Sequence, residues 1–189
     1  MIGEVILLNR SKELVSGGRF ISINFGIDEE GRYLGNTGGH NMFDNFSNNW
    51  KKLENEGIIT NEEFMNATFT QHYRTVEEFR KPFDDPNSLV SKSGLILKSC
   101  KTMFTDCPFK IHYNNNKSNM TPREYAETLI PTMRSWSETV FKTALEKRNP
   151  DEINKIVDQF YNYYLEEVAN DPDGHAMDYI HIVMDIEKV

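Results

Sequence analysis

A partial α/β fold, with about three strands of one sheet joined to a helical cap, is predicted by three features of this sequence. The stretch 13–26, ELVSGGRFISINFG, reads as a helix end, a Gly-Gly turn and a strand, which is how one unit of a wound α/β sheet is entered. Two long segments opening at Pro122 and Pro150 carry apolar residues at helical spacing. The chain closes on MDYIHIVMDIEKV, where Tyr179, His181 and Val183 alternate with Ile180, Ile182 and Met184. A strand apolar on both sides belongs inside a sheet. Together these place sheet segments over 1–30, 88–110 and 177–189 and a mainly helical cap over 38–87 and 121–170, within one region spanning 1–189.

The elements follow in order. Between Val5 and Val15, Leu7, Leu8, Leu14 and Val15 share one helical face, and Gly17-Gly18 supplies the left-handed residue that ends such a helix. RFISINFG is a strand carrying Phe20, Ile21, Ile23 and Phe25. Over 41–56, Met42, Phe43, Phe46, Trp50 and Leu53 line one face of a helix that stops at Gly57. Thr60 with Glu63, and Thr75 with Glu78, have the cap-and-acid spacing that opens two further helices. SLVSKSGLILKSCKTMF gives a short helix broken at Gly94 and a strand over about 95–104, and the Asn-rich HYNNNKSNMT reads as a loop. Tyr125, Leu129, Met133, Trp136, Val140, Phe141 and Leu145 face one way on the Pro122 helix, and a last helix runs from about Pro150 to Asn170. About six helices result, and only the first strand has the entry of a parallel unit.

Composition narrows the function classes. At 189 residues, 38% hydrophobic and 12% aromatic, the chain is long enough for one packed core. Its 29 acidic residues outnumber 21 basic ones, which argues against a nucleic-acid partner, because phosphate binding needs clustered Lys and Arg. No apolar run approaches the roughly 18–20 residues of a membrane-spanning helix. The opening MIGEVILLNRSKE lacks the basic start and small-residue cleavage site of a leader, so a cytoplasmic setting is expected, with Cys100 and Cys107 as free thiols.

Several features look chemical and have plainer readings. GRYLGNTGGH, 31–40, has neither phosphate-loop spacing nor a closing basic residue, and reads as a flexible connection. His40, His112, His175 and His181 fall at no metal-ligand spacing, and His181 reads as a buried, hydrogen-bonded strand residue. Cys100 and Cys107 read as structural rather than nucleophilic, and the DPD before Gly174 as a turn. On spacing alone Phe43, Phe46, Trp50, Met133, Trp136 and Tyr179 are packing residues.

Seven segments in order, LLNRSKELVSGGRF, NEGIITNEEF, HYRTVEEFRKPF, SLVSKSGLIL, CPF, MRSWSE and HAMDYIHIVMDIEKV, resemble the later half of the SABATH methyltransferases. The resemblance covers about residues 5–188. It implies a Rossmann-like class I methyltransferase sheet with a helical cap, and S-adenosylmethionine-dependent methylation of the carboxyl group of a small acid. In that family the quoted helix and Gly-Gly strand come mid-protein, as a late strand of a seven-stranded sheet. The glycine-rich turn and the acidic residue that holds the ribose lie earlier. Nothing before Gly17 has that form, so the resemblance places the cofactor half outside this chain.

What the resemblance leaves here is the substrate-binding half. It places Met42 and Phe43 at an apolar and an aromatic pocket position, His72 or Tyr73 near a family tyrosine, Met133 at a pocket methionine and Tyr179 at a pocket phenylalanine. The Asp-x-Phe-Asn stretch that serves an occasional family metal site is replaced by Met65, Ala67 and Thr68, so no metal is expected. Three roles follow from different classes: the acid-binding half of a methyltransferase, with the rest on another chain; a non-catalytic homologue that binds an acid or pairs with a full-length methyltransferase or a second copy; and a bare structural remnant. An unpaired first strand would favour association, because a free edge is a template for pairing.

Overall fold

A computed structural model describes residues 2–189; Met1 lies outside them. Among the described residues the elements run α1 (Ile2–Glu13), β1 (Arg19–Phe25), α2 (Met42–Asn55), α3 (Asn61–Asn66), α4 (Val76–Asp84), a 3-10 turn (Ser91–Ser93), β2 (Leu95–Thr105), α5 (Pro108–Asn115), α6 (Pro122–Ala144), α7 (Pro150–Asn170) and β3 (Tyr179–Lys188). They divide into two compact units. A sheet unit holds the residues up to Leu34, His72–Thr105 and Tyr179–Val189, and a helical unit holds Gly35–Gln71 and Asp106–Asp178. The mixed α/β class and the three-stranded sheet agree with the sequence. No described helix is long and apolar enough to cross a membrane.

In the sheet unit the strand order is β1-β3-β2, and both neighbours run against β3. The parallel pairing suggested by the Gly-Gly entry is therefore not formed among the three described strands. β1 and β2 share a direction, but β3 separates them. The cause lies in the turn: Gly17, at φ 78, gives its amide to the Lys188 carbonyl at 2.7 Å, and Lys188 returns its own to Gly18 at 2.9 Å, fastening the end of β3 to the start of β1. Along β3 the residues Ile180, Ile182, Met184 and Ile186 are fully buried. Ile182, Met184 and Ile186 pack with Leu7 of α1, Val90 and Leu95, flanked by Phe20 and by Phe79 and Phe83 of α4. Burying such side chains is worth about 1.5–3 kcal/mol each, which is why this strand takes the central place.

In the helical unit α2 turns Met42, Phe46, Trp50 and Leu53 inward, as the spacing predicts, and adds Asn49. α6 contributes Tyr125, Leu129, Met133 and Phe141, and α7 contributes Val157, Phe160, Tyr161 and Tyr164. Both expected capping boxes form, and Thr121 with Glu124 makes a third. Thr121→Ala removes the hydroxyl that accepts from the Glu124 amide at 3.2 Å. It is expected to cost about 1 kcal/mol in a urea melt, with Thr121→Ser recovering most of the loss.

One helix departs from the sequence reading. HYNNNKSNMT was expected to be a loop, but α5 takes its first four residues, starting at Pro108. Pro at the first turn is favourable because its missing N–H has no intrahelical partner there in any case. Cys107 precedes it without a side-chain cap; its amide instead donates to Asp178 Oδ1 at 2.7 Å, while Asp178 Oδ2 accepts from Thr37 at 2.8 Å.

Candidate substrate-binding site

A cleft of about 390 Å³ opens beside β1 within the sheet unit. Leu7, Phe20, Phe79 and Met184 give it apolar walls, and Ser22, Asn24, His72, Arg74 and Glu78 give it polar ones. The chain brings residues 72–74 there through a main-chain bridge: the Ile27 amide donates to the Arg74 carbonyl at 2.9 Å, next to Gly26. Gly26 is obligatory at that crossing, since a Cβ would sit 2.3 Å from Ile182 Cγ1. Asn24 Nδ2 donates to Ser22 Oγ at 2.9 Å. His72 is exposed, with Nε2 3.7 Å from Glu78 Oε1, and the Arg74 guanidinium lies 5.8 Å from the Phe79 ring centre. The Glu78 carboxylate is held in place by the Thr75 amide at 2.9 Å.

The other sheet-unit candidates are aromatic. Tyr73 stacks on Tyr33 at 5.3 Å, and burial pushes its pKa up to about 12, so its phenol keeps its proton at neutral pH. Tyr179 stacks with Phe25 at 5.8 Å and with His181 at 5.6 Å. His181 is half-buried, not buried as expected, because the sheet face carrying Ile21, Ile23 and Phe25 is open. Its Nδ1 lies 3.3 Å from Thr105 Oγ1, and partial desolvation lowers its pKa.

In the helical unit Met42 and Met133 are each 1% exposed, sealed inside the core. The Met42 amide donates to the Gly35 carbonyl at 2.7 Å, and a Cβ on Gly35, at φ 74, would come 2.6 Å from Met42 Cβ. The glycine-rich loop thus serves the start of α2. Phe43 is half-buried and meets Phe46 and Phe69 edge-on at 6.2 and 5.6 Å. A second pocket, about 190 Å³, opens in this unit between α2, the exit of α3 and α6.

A ribose holder is the feature most needed for a nucleoside cofactor, and the buried carboxylate after β1 does not fit one. Asp28 is the buried carboxylate that follows β1 and precedes the glycine-rich loop. Its Oδ1 accepts from the amides of Glu30 and Arg32 at 3.0 and 2.8 Å, and its Oδ2 from Arg32 Nε at 2.7 Å. Despite the opposing effect of burial, these bonds hold its pKa below the ordinary value. Both oxygens are spent on closing the 28–32 turn. Nor do any three His, Cys, Asp or Glu groups among the described residues come together as a metal site.

A family model described as SAM dependent carboxyl methyltransferase matches residues 4–189. The chain belongs to this family. No curated protein matches it. Members of this SABATH family act on small carboxylic acids with S-adenosylmethionine as donor. In this chain the sequence carries no sign of Arg74, which lines the same cleft as His72; a lone arginine after HY has no periodic signal. Nor does it mark Phe64 and Phe69, which the fold sets against Phe46 and Trp50 in the second pocket.

Proposed function

We propose that this chain is the acid-binding part of a carboxyl methyltransferase. The family match along residues 4–189 carries the reading. A carboxylate is already ionised at pH 7 and attacks a methyl group without a general base, so the protein's work is alignment and removal of water. In the sheet unit, His72 or Tyr73 supplies the hydrogen-bond donor that orients the carboxylate, Arg74 adds a positive charge in the cleft of His72, and Tyr179 is an aromatic wall. Taken by itself, the helical unit offers Phe43 as an aromatic contact for an acyl group, with Met42 and Met133 packed in its core. S-adenosylmethionine is the family's methyl donor; with Asp28 committed to its turn, the proposal for this chain stops at the acid. Free Cys100 and Cys107 suit the reducing cytoplasm.

Calorimetric titration of the purified 189-residue chain tests this. Benzoate is expected to bind, and Arg74→Met or Phe43→Ala to weaken it several-fold, while S-adenosylhomocysteine gives no heat. Micromolar binding of the homocysteine compound would reveal a donor site and overturn the acid-only role. A cooperatively melting chain that ignores benzoate and larger aryl acids would remove the acid role itself.

A second reading, a non-catalytic homologue that pairs with another chain, is supported by β1. Its ladder runs to β3 on one side, and Ile21, Ile23 and Phe25 are 53%, 57% and 45% exposed. A strand with its ladder on one side and an exposed apolar face offers a template for strand addition by a second copy or a full-length methyltransferase. Sedimentation should then show concentration-dependent association that Ile23→Lys abolishes; a monomer at every concentration, alone and mixed with a full-length relative, rules it out.

A further inference from the structure

The 190 Å³ pocket of the helical unit is built mainly of aromatic rings. Phe46, Trp50 and Phe141 form its buried base, and Phe69 stacks on Phe46 at 5.4 Å and meets Phe141 edge-on at 5.7 Å. The one indole donor is used internally, since Trp50 Nε1 donates to the Glu63 carbonyl at 3.3 Å. No ionisable residue lines the pocket. Two neighbouring charges are committed elsewhere: Glu63 to Arg148, and Lys51, whose ammonium lies 4.7 Å over the outer-wall ring of Phe64, to Glu54. Two lining side chains carry hydroxyls, Ser47 and Thr68, both exposed at the rim, and Thr68 donates to the Met65 carbonyl at 3.2 Å.

Such a space discriminates by charge. A dry apolar cavity of about 150 Å³ is enough to bind benzene. The mouth is open, with Ser47, Met65 and Thr68 exposed, so the discrimination lies deeper: a carboxylate pressed among the buried rings would lose its hydration with no cation among the lining residues, a cost that an uncharged ring does not carry. Aromatic walls at stacked and edge-on angles favour a flat guest.

We propose that this pocket binds a small uncharged aromatic molecule and, resting on the methyltransferase reading, that it takes the methyl ester in preference to the parent acid. Methyl esterification cancels the carboxylate charge, so the same ring that is rejected before the reaction is accepted after it. Phe43, the proposed acyl contact, is not one of the pocket's lining residues but packs behind two of them, Phe46 and Phe69, so the pocket gives the product a place next to the acyl contact that the charged substrate disfavours.

Titration of the full chain with toluene, methyl benzoate and benzoate, followed by Trp fluorescence, decides it. Toluene and methyl benzoate are expected to bind and to compete, with benzoate at least about tenfold weaker at this pocket. Ala67→Leu, which fills the wall, and Ser47→Tyr, which covers the rim from an exposed helix position, should each remove ester binding with the melting temperature held. Two variants guard against one failing to fold. Equal affinity for ester and acid, toluene binding without the ester, or ester binding indifferent to both variants would each overturn the proposal. Failure of the methyltransferase reading appears in a different measurement, loss of Arg74-dependent benzoate binding, and leaves the toluene result unchanged.

Discussion

Phe160→Ala is expected to lower the free energy of unfolding by about 3–5 kcal/mol, out of a total of about 5–15 for a domain of ordinary stability. The ring is fully buried and meets Phe141 at 4.1 Å, Tyr161 at 4.8 Å, Trp50 at 5.5 Å and Phe46 at 6.1 Å. Those neighbours come from α2, α6 and α7, so one truncation loosens three helices. They are also rigid rings braced against one another, which limits how far the cluster can collapse into the gap, and the cavity term stays large. Trp136→Ala is the control. Its ring is 37% exposed and touches the cluster only edge-on, at 5.9 Å to Phe46 and 6.2 Å to Phe69, and its loss should cost about 1–2 kcal/mol. Urea melts of both variants make the comparison. A Phe160 loss no larger than that of Trp136 would mean that the aromatic cluster packs loosely and does not organise the unit.

What the sequence disclosed depended on how local each signal was. α2, α6 and α7 were legible because a start signal and an apolar face lie within one segment: Pro122 opens α6 and Pro150 opens α7. The central place of β3 was legible from its two apolar sides. α5 was not, because Cys107 offers no side-chain cap and the helix ends among asparagines that favour turns. Strand direction was not legible either, since Gly17-Gly18 ends a helix equally well before a parallel or an antiparallel partner; the bonds to Lys188 decide it from the far end of the chain. For the sites, the family resemblance directed attention to His72 and Phe43. It did not point to the neutral pocket, whose walls are drawn from Phe46, Phe69 and Phe141, residues that have no common period in sequence.

Acidification is expected to weaken the fold in two separable steps. His175 is 4% exposed, and its pKa is lowered from 6.5 to about 4, first by burial and then by the adjacent His40, whose ring is 4.8 Å away; Asp171 opposes the shift and Lys110 reinforces it. Asn45 Nδ2 lies 3.4 Å from its Nδ1, a donor that requires a lone pair there. Between pH 6.5 and 4 the unfolded chain therefore binds a proton that the folded chain refuses. Stability is full above pH 6.5 and falls through this window by about 3 kcal/mol. The half-buried His181, also lowered, adds a smaller loss of the same sign. The second step lies lower. Glu63, held at about 2 chiefly by Arg148, accepts from Nε and Nη2 at 2.6 and 2.7 Å, so its contribution is present above pH 4.5 and is lost as pH falls toward 2. Asp171 and Asp173, lowered by His40 and Lys117, contribute to that same acid limb. Urea midpoints measured from pH 7 to 3 separate the steps through two variants. His175→Gln should flatten most of the upper limb and leave the lower, whereas Glu63→Gln should do the reverse. An upper limb that survives His175→Gln in full would place the first step on another group and would mean that His175 accepts a proton in the folded chain.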